Sequence, residues 1–306
     1  MTDIRTLDLN LLRALDALLD ERSVTRAAAR LSLTQPAVSG ALARLRDAFG
    51  DPLFVRTRHG VLPTPRALAL AGPLKRLLAD AEALVRPAEF NPEAADLLLS
   101  IAATDYAERT LVTPFLAALR GLAPRARLAV RHVEEARLMA QMERGEIDLV
   151  LTIPEAAPPQ LHARRLYEER YVCALRADHP DAEGGLTLER FCALDHALVS
   201  PAGGGFRGPT DAALEALGRR RRVAVSVPSF LALPDLLRAS DLVAAVPERL
   251  LRGVPGVALL KLPLDVPGFT MVAAWHERTH QDPAHRWARA LLGAVAAGET
   301  ARMVSE

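Results

Sequence analysis

The residues with the clearest chemistry lie in one stretch, LSLTQPAVSGALARLRDAFGDPLFVRTRHGVLPTP, residues 31–65. Val38, Leu42, Leu45 and Phe49 recur at i, i+4, i+7 and i+11, a helical core stripe. Thr34, Gln35, Pro36 and Ser39 fall off that stripe at the amino end of the same helix. Gln can pair with an adenine edge and Ser with either partner of a base pair. Arg56 and Arg58 follow in a short hairpin and suit phosphate oxygens. Ser23 and Arg44 complete the set of candidate DNA contacts. Recognition of duplex DNA is therefore the implied chemistry, with no catalytic constellation beside it.

Local signals explain how such side chains would be held. Asp8 can cap a first helix with Leu9, Leu12, Leu15, Leu18 and Leu19 on one face. Ser23 caps a second, VTRAAARL, whose alanines permit close packing. After the turn LSL, Thr34 caps the third, where Pro36 is tolerated because first-turn N–H groups have no helical acceptor. Gly50 ends it, and LFV and VL flank a basic tip, Arg-Thr-Arg-His-Gly. Helix, helix, turn, helix and basic hairpin spell a winged helix-turn-helix. Charge agrees: residues 22–66 hold eight Arg against Asp47 and Asp51, whereas the whole chain of 306 residues carries only +1. Arg predominates over Lys throughout, so position rather than abundance makes an Arg informative.

Residues 65–87 place Leu70, Leu74, Leu77, Leu78, Ala81, Leu84 and Val85 on one seam, which predicts a long helix pairing with a copy of itself. Gly72-Pro73 predicts a kink or a weak first half. FNPE at 90–93 reads as a linker. Strands and helices then alternate: strand 97–103, a helix capped by Thr104, strands 125–132 and 147–153 around a helix through Leu138 and Met142. A second such series runs through YVCAL, LTLERFCAL, HALVS, helix 209–217, RVAVSV, helix 230–238 and LVAAVP, before strand 269–275 and helix 283–297. This order predicts α/β architecture with parallel sheets.

Other chemistry finds little support. GGGFRG is neither a dinucleotide fingerprint nor a phosphate loop. His276, His280 and His285 have loosely metal-like spacing, but Asp282-Pro283 breaks any common helical face, so no metal or cofactor is expected. Ser200 lacks a nucleophile-elbow context. Arg219–Arg222 reads as a solvated start to a strand. Cys173 and Cys192, in no ligand pattern, suit a reducing cytoplasm. Neither a signal peptide nor a membrane-spanning run is seen. The rival class is a small-molecule-binding protein or enzyme whose N-terminal part only dimerises; Gln35 and Arg56 discriminate between the two.

The segment SVTRAAARLSLTQPAVSGALARLRDAFGDPLFVRTRHGVLPTPRA resembles the LysR-type transcriptional regulators. Weaker similarity continues through RRVAVSVPSFLALPDLLRASDLVAAVPERL and WHERTHQDPAHRW, toward the subgroup of nodulation and aromatic-catabolism regulators. Gly40 departs from the pattern, standing where many relatives carry a longer polar side chain. The resemblance implies a DNA-binding domain over 1–64, a linker and dimerisation helix over 65–90 and an effector-binding domain over 91–306. That domain would have the two-subdomain fold of periplasmic binding proteins, with subdomain one at 91–163 and 267–306 and subdomain two at 164–266. It further implies an interrupted palindrome as the DNA site, homodimers assembling to homotetramers, contact with RNA polymerase, and a small effector, aromatic or carboxylate, between the subdomains. Strand ends that run into helix starts attract anions, which singles out Thr104 and Ser200. With Thr152, Phe206 and Ser229 they form the expected effector site, its ligand carboxylate near Thr104 or Ser200.

Overall fold

Three capping side chains start the helices of the N-terminal unit. The structure is a computed structural model and describes residues 8–58, 60–85, 90–201 and 203–299. His59 of the expected wing tip and residues 86–87 of the expected long helix lie outside the described residues. Asp8 accepts the Asn10 N–H ahead of α1 (Leu9–Glu21), Ser23 that of Arg26 ahead of α2 (Val24–Arg30), and Thr34 that of Ala37 ahead of α3 (Gln35–Phe49). Each satisfies an amide with no helical acceptor. Gly50 closes α3 in the left-handed conformation. β1 (Phe54–Thr57) and β2 (Gly60–Pro63) pair antiparallel, and α4 (Pro65–Val85) follows.

Leu15, Leu18, Ala27, Val38, Leu45, Leu53 and Phe54 are buried together in this unit. Burying each large side chain contributes about 1.5–3 kcal/mol. The unit comprises residues 1–88, and α4 belongs to it. Part of the apolar seam of α4 is used within the chain: Leu70, Leu74 and Leu78 pack on the core beside α1. Lys75 also reaches Asp20 of α1 at 2.9 Å. The helix runs unbroken through Gly72-Pro73. Leu77, Leu84 and Val85 stay exposed.

The second unit, residues 89–306, contains a five-stranded, a three-stranded and a two-stranded sheet among its described residues. β3 (Leu98–Ala102) leads into α5 (Asp105–Ala107), a π-helical turn at Glu108–Val112 and α6 (Thr113–Leu122). β4 (Arg127–Arg131), α7 (Glu135–Glu143), β5 (Leu149–Thr152) and β6 (His162–Glu169) follow. Next come β7 (Tyr171–Arg176), α8 (Leu188–Ala193), β8 (Asp195–Val199), α9 (Pro209–Ala216) and β9 (Arg222–Val227). A 3-10 turn at Phe230–Ala232 opens α10 (Leu233–Arg238), then β10 (Ala244–Pro247), α11 (Glu248–Leu251) and β11 (Val257–Leu260). β12 (Phe269–Trp275) and α12 (Pro283–Ala297) end the fold. Among the described residues, no helix is long and apolar enough to cross a membrane.

The first sheet has the order β4-β3-β5-β12-β6. β3 is parallel to β4 and β5, whereas β12 is antiparallel to β5 and β6. In the second half β8 and β9 are parallel, but β7 lies antiparallel between β10 and β11. The five-stranded sheet is thus mixed and the three-stranded one antiparallel, where alternation predicted parallel sheets. The chain passes from the first sheet to the second through Glu169-Arg170-Tyr171 and returns ahead of Phe269. At this junction Gly268 is required by contact: a Cβ there would lie 2.0 Å from the Glu169 carbonyl oxygen.

His196 is fully buried in the second half. Its Nε2 donates to the Phe191 carbonyl at 2.8 Å, while Nδ1 lies 3.4 Å from the Arg221 guanidinium. Burial pushes its pKa from the usual 6.5 down to about 4. As pH falls, the unfolded chain therefore takes up this proton before the folded one does. Stability that depends on a neutral His196 is intact above pH 6.5 and is lost between 6.5 and about 4. Thermal unfolding between pH 7.5 and 4.5 should show the native protein losing about 2–3 kcal/mol more than His196→Gln over that range. Equal pH slopes for the two proteins would refute the assignment.

Candidate functional site

The helix-turn-helix face is built by what it buries. Val38, Leu42 and Leu45 point into the core, and this leaves Thr34, Gln35, Pro36, Ser39 and Arg44 exposed along α3. Thr34 Oγ1 accepts from Ala37 N at 3.4 Å, and Ser23 Oγ from Arg26 N at 3.4 Å. Both hydroxyls thus act as caps at the edge of the face. Gly40 has open space around it, with nothing within 4 Å of an added Cβ. A glycine at this exposed position weakens the helix by up to about 1 kcal/mol relative to Ala.

The eight arginines of residues 22–66 divide by role. Arg26 pairs with Glu21, and Arg30 with Asp20 and Asp16. Arg46 donates to the carbonyls of Pro52 and Phe54 at 2.8 and 3.0 Å, which fastens the wing to α3. Sequence reasoning counted Arg46 only as basic charge. Asp51 supports the same corner, accepting from Leu53 N at 2.7 Å and Thr64 Oγ1 at 2.8 Å. Among the described residues Arg22, Arg44, Arg56, Arg58 and Arg66 make no ion pair. The wing itself is tied to the α1–α2 corner, where Val61 N donates to the Arg22 carbonyl at 3.0 Å. A recognition helix with exposed amide and hydroxyl groups, flanked by uncompensated guanidiniums, presents both base readers and phosphate binders.

In the second unit the carboxyl ends of neighbouring strands gather four of the five expected effector residues into two pairs. β3 and β5 pair in parallel as far as Ala102 and Val150, and Thr104 and Thr152 each lie two residues beyond that pair. Parallel pairing of Val199 with Val227 sets Ser200 close to Ser229. Asp105 joins the two pairs: its Oδ2 accepts from Ser229 Oγ and from Phe230 N, both at 2.7 Å. Sequence reasoning placed Asp105 at a helix start but had no means of finding a partner more than a hundred positions away. Phe206 stands apart, exposed in the loop after Ser200.

Two features of this site differ from expectation. Ser200 does not open a helix. α9 begins at Pro209, and the Gly208 N–H is already bound by Asp211 Oδ2 at 2.8 Å. Ser200 instead organises a loop, its Oγ accepting from Gly205 N at 3.3 Å while Ser226 Oγ donates to the Gly205 carbonyl at 2.5 Å. The start of α5 is also committed internally: Thr104 Oγ1 accepts from Ala107 N and Asp105 Oδ1 from Tyr106 N. That end carries a carboxylate of its own, which disfavours a ligand anion. Backbone N–H groups of Gly204, Phe206 and Arg207, by contrast, have no acceptor among the described residues.

Comparison with known proteins completes the picture. Residues 9–68 match the model of the bacterial regulatory helix-turn-helix protein, lysR family, and residues 94–297 match the LysR substrate binding domain. The HTH-type transcriptional activator NagR of Ralstonia sp is 38% identical over 294 residues, covering 95% of this chain and 97% of its own. NahR of Pseudomonas putida, another HTH-type transcriptional activator, is 37% identical and covers 95% and 98%. A probable transcriptional regulator of Pseudomonas aeruginosa superposes with a TM-score of 0.59 at 35% identity, over 94% of this chain and 97% of that one. Full-length CbnR in complex with its target DNA shares the fold, with a TM-score of 0.60 at 17% identity over 95% and 100% of the two chains.

Division of the polar face into readers and binders predicts separable losses. Gln35→Ala should cost about 1–3 kcal/mol at the preferred sequence and little elsewhere. Arg56→Ala should weaken binding to all duplexes and lower the slope of log affinity against log salt by about 1. Fluorescence anisotropy on specific and scrambled duplexes, at several salt concentrations, measures both. Identical behaviour of the two variants would remove the distinction.

Proposed function

The chain belongs to the LysR family of DNA-binding transcriptional regulators with an effector-binding domain, and from that premise we propose how its residues carry out the regulation. Residues 1–64 form the DNA-binding domain, with α3 in the major groove. Thr34, Gln35, Pro36 and Ser39 meet base edges, while Arg44, Arg56 and Arg58 hold phosphates, and Ser23 fixes α2 against the backbone. Residues 65–90 form the linker, of which α4 is the described helix. Leu77, Leu84 and Val85, exposed on α4, supply the apolar surface for pairing two subunits. Paired dimers give a homotetramer on an interrupted palindrome, acting on RNA polymerase in the cytoplasm.

Residues 91–306 form the effector domain, with one subdomain over 91–163 and 267–306 and the other over 164–266. The effector is a small organic carboxylate held between Thr104 and Thr152 on one side and Ser200 and Ser229 on the other. Its negative end faces the free N–H groups of Gly204, Phe206 and Arg207, and Phe206 covers its apolar part. The observation that carries this reading is Asp105, whose carboxylate crosses from the carboxyl end of β3 to Ser229 and Phe230. Ligand binding competes with or reinforces that crossing. It thereby shifts the angle between subdomains and the spacing of the DNA-binding pairs.

Two experiments test the proposal. Selection from a random duplex pool should enrich an interrupted palindrome whose affinity falls steeply with salt. Failure to enrich any sequence would remove the DNA part. For the cleft, Asp105→Ala should destabilise the second unit by about 1.5–3 kcal/mol and should accelerate hydrogen exchange at the Phe230 amide. Unchanged protection of Phe230 would show that Asp105 does not join the two halves.

A further inference from the structure

A groove of about 640 Å³ lies between the π-helical turn, the 3-10 turn before α10 and α11. Arg109, Arg249, Arg252, Glu108, Thr110 and Leu231 line it, and it shares no residue with the expected effector site. We infer that this groove is a second ligand site of the regulatory unit, built for a small dianion, a phosphate ester or a dicarboxylate.

Its charge is unbalanced by construction. Glu108 is the one acid among the lining residues, facing three guanidiniums. Arg252 is paired with Glu248 at 3.2 Å, an acid also bound by Arg170. Arg109 and Arg249 make no ion pair among the described residues. Like charges converging on a concave surface repel one another, and an anion relieves that repulsion while accepting planar, two-pronged hydrogen bonds.

The side chains are also held in place. Arg249 stacks over the Tyr167 ring, its guanidinium carbon 4.1 Å from the ring centre. That fixes a side chain whose rotamer freedom would otherwise oppose binding. Arg109 and Thr110 project from the π-helical turn, where the Thr113 N–H reaches back to the Glu108 carbonyl. An extra residue in a helix rotates the side chains that follow it, and such insertions recur at binding sites.

The groove is wired to the junction between the sheets. Arg249 N donates to Glu169 Oε2 at 3.3 Å, and the Tyr167 hydroxyl beneath the Arg249 guanidinium lies 3.0 Å from that of Tyr106. Tyr106 in turn donates to Glu169 at 2.5 Å. A dianion held by the Arg249 guanidinium therefore binds a residue whose own amide is tied to Glu169 at the crossover.

Isothermal titration of the full-length protein with inorganic pyrophosphate and with malonate, at constant ionic strength, tests the inference. At least one probe should bind saturably. Pyrophosphate alone identifies a phosphate site, malonate alone a dicarboxylate site, and both together a general dianion site. Arg109→Ala and Arg249→Ala should each weaken binding about tenfold or more. Ser200→Ala, in the separate cleft, should leave it unchanged. Pyrophosphate or malonate, whichever binds, should also slow exchange of the Arg170 and Arg249 amides. Arg109 is exposed and tests the site even if the Arg249 variant unfolds. The inference is overturned if neither probe saturates with a Kd below about 1 mM, or if Arg109→Ala binds as the native protein does.

Discussion

The regulatory unit depends on one buried carboxylate, that of Glu169. Only 4% of this residue is exposed, and it lies where the chain leaves one sheet for the other. A buried charge is tolerated only if its oxygens are hydrogen-bonded. Here Arg170 N serves Oε1, and the Tyr106 hydroxyl with Arg249 N serves Oε2. These donors come from three separate elements, so the carboxylate fixes α5, the crossover and α11 relative to each other. Tyr106, pushed to a pKa well above the ordinary tyrosine range by burial and by its Tyr167 and Glu169 neighbours, stays protonated and keeps donating. Gly268 lets the returning strand pass against the Glu169 carbonyl, so both crossings converge on the same residue.

The DNA-binding unit solves a related problem with arginine. Arg46 lies on α3 with the candidate groove contacts but turns back to the carbonyls of Pro52 and Phe54. Asp51 holds the other side of the turn through Leu53 N and Thr64 Oγ1, and Leu53 is forced into a positive φ of 55°. The wing is thus clamped to the recognition helix before any DNA arrives. Preorganisation of that kind would spare the proposed phosphate contacts of Arg56 and Arg58 an added ordering cost.

Much of this was legible from local pattern. Caps at Asp8, Ser23 and Thr34, the Val38–Leu42–Leu45 stripe and the limits of α12 all follow from residues within a turn of one another. Strand direction was not legible. YVCAL reads as a buried strand whichever way it pairs, and only the double crossing puts β7 antiparallel between β10 and β11. β6 was missed because HARRLYEE alternates charge with few apolar residues, as an edge strand can. The packing of Leu70, Leu74 and Leu78 on α1 was not legible because that face precedes α4 by some fifty residues. Ser200 looked like a helix cap because glycine runs and helix starts share a composition; the helix itself waits for Pro209. Asp105 carries no signal until its distant partners are known, and Arg46 none because backbone carbonyls, its acceptors, look alike in any sequence.

The strand ends that lead into Thr104 and Ser200 therefore differ in electrostatics. At α5, the first-turn amides are satisfied by Thr104 and Asp105, and the remaining Asp105 oxygen reaches across to Ser229 and Phe230. That end is a latch between the halves of the domain. After β8, the chain delays its helix, and the N–H groups of Gly204, Phe206 and Arg207 find no acceptor among the described residues. A ligand can shift the equilibrium between two arrangements only through contacts that differ between them. A carboxylate held by the loop and a polar group directed at Asp105 or Ser229 would meet that condition, because the first contact gives affinity and the second acts on the latch. A ligand confined to the loop would bind equally well to both arrangements and leave the DNA-binding pairs where they were.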